Sequence, residues 1–185
     1  MAAAISRESA FLTAYGTVQL AELNRMDRGA FVAALGGVFE HSPWVAQRSF
    51  GDRPFASIGA LHAAMVAAMD RALPSEQLTL LQAHPELAGK AAIRGELTPD
   101  SAREQDGAGL GNCSPSEYAR ITELNRRYSA KFGFPFIFAV KGQDREVILR
   151  EFRRRVEHDR PTEFAEALRQ VARIARFRLE ALIDH

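Results

Sequence analysis

The chain reads as an all-α protein, a single-domain helical bundle of about seven or eight helices over residues 1–185. Three observations predict this. Apolar residues recur at three- and four-residue spacing through most of the sequence. Capping residues followed by proline or an acidic residue mark the helix starts, and no series of alternating apolar and polar residues asks for a sheet.

Taken in order, Asp27 predicts the start of a helix carrying Phe31, Leu35 and Phe39 and ending near Glu40-His41-Ser42-Pro43-Trp44. Ser57 caps the next, with Leu61, Met65 and Met69 on one face. Pro74-Ser75 opens a short helix through Leu78, Leu80 and Leu81. It has to stop around His84, because the residue before a proline is pushed out of the α region. Thr98-Pro99 pairs a cap with proline at the first helical position. Ser114-Pro115-Ser116-Glu117 repeats that logic as a capping box, and Tyr118, Ile121, Leu124 and Tyr128 follow at helical spacing to Gly133. The run from Phe132 to Val140 breaks the pattern, being aromatic and punctuated by Gly133 and Pro135; it is either a lone buried extended segment or a short helix start. Asp144 opens a helix through Val147, Ile148 and Phe152, and Pro161-Thr162 opens the last, from about Glu163 to Ile183.

Composition narrows the function classes. At 185 residues and 46% hydrophobic, the chain is long enough for one well-buried core and short for two domains. With 24 Lys+Arg against 23 Asp+Glu, it lacks the positive field that holds nucleic acid or an anionic membrane. The one dense basic patch, Arg150 to Arg155, lies beside Glu146, Glu151 and Glu157 and is expected to be a solvated, salt-bridged helix face. Cys113 is alone, which excludes an intramolecular disulfide and suits a reducing compartment. No basic segment followed by a long apolar run opens the chain, no stretch approaches the ~20 apolar residues of a membrane span, and Ile183-Asp184-His185 is not a peroxisomal ending. A cytoplasmic protein without membrane or nucleic-acid partners is expected. The histidines at 41, 62, 84, 158 and 185 form no i, i+4 pair, so no metal is expected.

Three features carry chemistry. His84 sits where a helix ends against Pro85, near the negative pole of the helix dipole, a position that favours a general acid or anion partner; the bland alternative is a C-terminal helix cap. Ser101, Glu104 and Gln105 lie at i, i+3 and i+4, so a hydroxyl, a carboxylate and an amide share one helix face. They either grip a polar heterocycle with donors and acceptors or form an ordinary solvated face, and the small residues of Gly107-Ala108-Gly109 favour close backbone approach. Arg178 emerges from the apolar stripe of Phe164, Leu168, Val171, Ala175 and Leu182 and needs an anion: Glu104 or another core carboxylate, or a carboxylate on a substrate. Arg155, beside Phe152 and Val156, has a similar but weaker claim.

Four stretches then combine. His84-Pro85-Glu86-Leu87-Ala88-Gly89, the Leu97-Thr98 segment with Ser101, Glu104, Gln105 and Ala108-Gly109-Leu110, Leu124-Asn125 with Tyr128 and Lys131 to Ile137, and Phe39 to Trp44 together resemble the OHCU decarboxylase family. Its members act on 2-oxo-4-hydroxy-4-carboxy-5-ureidoimidazoline (OHCU) in urate breakdown. The resemblance runs from about Leu23 to Leu182 and is to the bacterial form, since the peroxisomal ending of some eukaryotic members is absent. It implies a cofactor-independent carboxy-lyase with an all-helical fold, no metal, a homodimeric assembly, and (S)-allantoin and carbon dioxide as products. It also implies catalytic roles for His84 and Glu104, and substrate contacts from Pro85, Ser101, Gln105, the backbone of Phe136 and Ile137, and Arg178 in the last helix. The family often has aspartate where Glu86 stands, a like-for-like change. Whether His41 and Trp44 belong to the site or the core stays open. Two rival readings remain: a helical ligand-binding module that binds without turnover, and a hydrolase of a ureido or cyclic amide bond, which usually needs a metal or a nucleophile.

Overall fold

Helices begin where a side-chain oxygen meets the first unpaired amides, and the computed structural model, which describes residues 17–89, 92 and 94–184, shows these caps in place. Residues 1–16 and His185, on which part of the targeting expectation rests, lie outside those residues. Asp27 accepts from the Ala30 amide at 2.8 Å, Ser57 from Ala60 at 3.1 Å and Asp144 from Val147 at 2.8 Å. The chain divides into two compact units, one from Met1–Leu73 with Ala175–His185, the other Pro74–Ile174.

In the first unit, β1 (Val18–Gln19) pairs in parallel with β2 (Ile183–Asp184). The helices are α1 (Leu20–Leu23), α2 (Arg28–Leu35), α3 (Trp44–Ser49) and α4 (Ile58–Asp70), with the closing turns of the last helix. Leu23, Phe31, Leu35, Val45, Leu61 and Met65 form its core. The helix capped by Asp27 was expected to include Phe39 but stops at Leu35. Gly36 and Gly37 favour that stop, and Gly36 packs so closely that a Cβ there would lie 2.6 Å from the Val32 carbonyl oxygen and 3.2 Å from Pro43. Phe39 is buried all the same, from the turn beyond the helix. The short α1 and α3 and the two-residue strands go unannounced, because elements of that length carry no readable period.

The second unit holds α5 (Pro74–Gln82), α6 (Pro99–Gly107), α7 (Pro115–Phe132), α8 (Arg145–Arg155) and most of α9 (Arg160–Leu182). The all-α expectation holds, with nine α-helices among the described residues. The last helix starts at Arg160, earlier than expected, because Asp159 caps it by accepting from the Thr162 amide at 2.8 Å. Both halves of the Ser114 capping box are made, and α7 ends at Gly133 with φ +81°, a conformation that costs glycine little.

Beyond Gly133 the chain runs as a buried extended segment with no strand partner among the described residues, so the first of the two readings of this stretch holds. Its aromatic residues fill the core around Tyr128. Phe136 stacks on Phe152 at 3.9 Å between centroids and meets the Tyr128 ring edge-on at 5.4 Å. The Arg150–Arg155 patch departs from expectation at one end: Arg154 pairs with Glu151 at the surface, whereas Arg155 is fully buried. Among the described residues no helix is long and apolar enough to cross a membrane.

Removing the α7 cap tests this account of helix starts. Ser114→Ala is expected to cost about 1 kcal/mol in a denaturant titration, and an unchanged midpoint would refute it. The Ser114 backbone amide, donating to Glu117, holds that carboxyl below its ordinary 4.5. The box therefore contributes fully above that value, and its contribution fades as pH falls through the lowered one.

Candidate active site

Pro85 ends α5, and that stop leaves the Leu80 carbonyl without a helical amide partner. The His84 ring fills the gap, with Nδ1 2.8 Å from Leu80 O. A carbonyl can only accept, so Nδ1 carries the proton and Nε2 is the basic nitrogen of the neutral ring. The expected helix cap and the expected chemical group are thus one residue: the cap fixes the tautomer and the ring direction. His84 is buried, with 8% of its surface exposed.

The turn after His84 is held from two helices. From α6, the Gln105 Oε1 accepts from the Ala88 amide at 2.9 Å while its Nε2 donates to the Glu86 carbonyl at 3.4 Å. From α7, Asn125 Nδ2 donates to the Leu87 carbonyl at 2.9 Å and Ser129 Oγ to the Glu86 carboxylate at 3.3 Å. Ala88 adopts φ +47°, unusual for a residue with a Cβ, and the clamp holds it there. Sequence reading picked out Gln105 as a substrate contact; the structure gives both ends of its amide to the loop that carries His84. Asn125 appeared only as a motif residue. A buried amide on the inward face of a helix is the signal that marks it.

On α6, Ser101 and Gln105 are buried and Glu104 is half-exposed, so the predicted face is not a uniformly solvated one. A cavity of about 550 Å³ lies against Ala88, Ala102, Gln105, Leu110, Cys113 and Tyr118. Phe136 and Ile137 lie buried in the extended segment, where the Ile137 carbonyl accepts from Arg155 Nη1 at 2.8 Å. Arg155 also donates through Nε and Nη2 to Glu163 Oε1, at 2.9 and 2.5 Å. Glu163 is fully buried and takes further bonds from the Tyr128 hydroxyl and, at 2.7 Å on Oε2, His158. Burial first, then the bond to Glu163, holds the Tyr128 hydroxyl far above its ordinary pKa, so it stays a donor.

Arg178 belongs to the first unit. It is buried as expected, and a carboxylate answers it: Glu40 Oε2 at 2.7 Å, with the Gly37 carbonyl at 3.3 Å. Of the carboxylates expected for Arg178, this pair uses Glu40 and not Glu104. Of the residues left open, Trp44 is half-buried under the Arg48 guanidinium, and His41 is exposed at φ +46°. Among the described residues no group of three or more His, Cys, Asp or Glu side chains is placed to hold a metal ion.

The clamp on the His84 loop can be tested directly. Gln105→Leu leaves the buried Ala88 amide unpaired and is expected to lower unfolding stability by about 1–3 kcal/mol; an unchanged denaturant midpoint would show that Gln105 does not hold the turn.

Comparison with known proteins identifies the family. The family model for OHCU decarboxylase matches residues 24–180. The 2-oxo-4-hydroxy-4-carboxy-5-ureidoimidazoline decarboxylase of Haloferax volcanii is 44% identical over 160 residues, covering 86% of this chain and 93% of that protein. The uric acid degradation bifunctional protein PucL of Bacillus subtilis is 43% identical over 162 residues, 88% of this chain. Here the chain spans only 32% of the relative's length. A crystal structure of (S)-allantoin synthase superposes with a TM-score of 0.73 at 31% identity, covering 90% of this chain and 55% of that one. A crystal structure of OHCU decarboxylase in the presence of (S)-allantoin, 23% identical with a TM-score of 0.64, shares the fold. With the family model running through both units and a relative matched over nearly its whole length, the chain belongs to the OHCU decarboxylase family.

Proposed function

We propose that this protein decarboxylates OHCU to (S)-allantoin and carbon dioxide, with residues 1–185 acting as one domain, as a homodimer in the cytoplasm. Family membership supports the reaction, and the observation that carries the site assignment is the fixed tautomer of His84, which presents Nε2 as a base.

The chemistry asks little of the protein beyond placement. In OHCU, C4 bears both the hydroxyl and the carboxylate, and the neighbouring ring C=N is an electron sink. As the C4–carboxylate bond breaks, its electron pair forms a C4=C5 double bond and the C=N pair moves to nitrogen, which takes a proton. The resulting enol loses its hydroxyl proton to become the C4 carbonyl, and C5 gains one. Two protons are gained, at nitrogen and C5, against one released by the hydroxyl, so the step takes up one proton from solvent and only carbon dioxide leaves. Orientation and charge placement supply the acceleration.

In this reading His84 Nε2 hydrogen-bonds the 4-hydroxyl and takes its proton, and Glu104 handles the proton on the ring or ureido side. Pro85, Ser101 and the backbone of Phe136 and Ile137 hold the substrate by its ring and ureido groups, and Gln105 joins them through the second N–H and lone pair of the amide that clamps the His84 loop. Proton delivery to one face of C5 accounts for a single enantiomer. Arg178 anchors an anionic group. Its bond to Glu40 already takes up much of the guanidinium's charge, which suits a site that must not hold the departing carboxylate too tightly.

Circular dichroism on OHCU generated in place from urate tests the reading. Fast loss of OHCU with accumulation of optically active (S)-allantoin is expected; decay at the uncatalysed rate to racemic product, from folded protein, would overturn it. His84→Asn is expected to lower kcat by about 10²–10⁴-fold with the thermal transition intact, and Glu104→Gln, which keeps shape and removes the carboxylate, to cause a loss of similar order. Turnover retained in either variant would remove that residue from the chemistry.

A further inference from the structure

The extended segment from Phe134 to Val140 has no neighbouring strand among the described residues, yet it is buried throughout its apolar length. Its backbone polar groups therefore need side-chain partners. Two are visible. Gln170 on α9 accepts from the Ala139 amide through Oε1 at 3.0 Å, and Arg155 on α8 donates to the Ile137 carbonyl at 2.8 Å. Arg155 holds more than the carbonyl: its guanidinium lies over the Phe136 ring, 4.6 Å from the centroid. One fully buried side chain thus grips two consecutive residues, one by its ring and one by its backbone.

The gripping group is itself fixed. Two of its nitrogens are committed to Glu163 Oε1, and Glu163 is oriented in turn by Tyr128 from α7 and by His158. A lysine has one ammonium and no planar fork, so it cannot reproduce three donations in fixed directions. A fully buried ion pair is also a poor device for stability alone, since desolvating both charges offsets most of their attraction. Its distinguishing property here is geometric.

We infer that Arg155, oriented by Glu163, is a positioning residue for the reaction: it sets the direction of the Phe136-Ile137 backbone that faces the substrate. The inference rests on the proposed role of that backbone in binding OHCU. Arg155 acts through Ile137 and touches no reacting atom, so its loss weakens recognition of the ring and ureido groups more than it slows the bond-breaking step.

The test separates positioning from folding. In the double variant Arg155→Met with Glu163→Gln, no buried charge is stranded. The new amide still accepts from Tyr128 and donates to His158, while the Ile137 carbonyl loses its donor. The variant is expected to melt within about 5 °C of wild type and to lose on the order of 10- to 100-fold in kcat/KM, mostly through KM. Should that variant fail to fold, Arg155→Lys decides, because it keeps the charge beside Glu163 and removes the fork. It is expected to raise KM several-fold and to speed hydrogen exchange of the 134–140 amides, with kcat little changed. Wild-type KM and kcat in the folded double variant, or in Arg155→Lys, would overturn the inference. A wild-type protein that leaves OHCU to decay unaided would instead sink the proposed function.

Discussion

Buried backbone that belongs to no helix or sheet must find its hydrogen bonds in side chains, and much of the second unit is arranged around that demand. Two irregular stretches impose it, the turn after His84 and the extended run after Gly133. Gln105, Asn125, Arg155 and Gln170 answer it, each a buried polar side chain carried on a helix. The first unit repeats the device where Arg53 donates to the carbonyls of Phe50, Asn24 and Met26, and where Asn24 exchanges two bonds with the backbone of Phe55. Helices supply rigid frames, and the polar residues on their buried faces fix the loops that a bundle would otherwise leave loose.

Charge is distributed by the same logic. Arg126 with Glu123, Arg154 with Glu151 and Arg169 with Glu166 are i, i+3 pairs with the arginine well exposed, where water screens the attraction. They keep the helices soluble and specify little. Two buried pairs, Arg155 with Glu163 and Arg178 with Glu40, are different in kind. Burial makes their geometry expensive to alter, since removing one partner exposes the other to an apolar interior. Each also reaches a backbone carbonyl, Ile137 in one case and Gly37 in the other, so each ties an ion pair to a segment without regular structure.

For the candidate chemistry, a helix end does the work that a third residue does in many acid–base sites. The Leu80 carbonyl, left over by the stop at Pro85, orients the His84 imidazole and selects its tautomer. A neutral orienting group at Nδ1 leaves the ring able to gain and lose a proton at Nε2. That suits a group that takes up a proton and gives it back within one turnover.

The sequence by itself determined the helices long enough to show a period, their caps and the all-α class, because those depend on contacts a few residues apart. Asp27, Ser57, Thr98, Ser114 and Asp144 are legible for that reason, and the break at His84-Pro85 follows from steric restriction in one dipeptide. The family was legible from ordered motifs. Tertiary structure decided what the buried polar residues do. Gln105 turns its amide to the His84 loop, Arg155 leaves the solvated face assigned to its neighbours, and Arg178 finds Glu40, at a separation of 138 residues. Those partners lie far off along the chain, and spacing carries no trace of them: a guanidinium on a helix has the same local pattern whether it meets water, a carboxylate or a carbonyl.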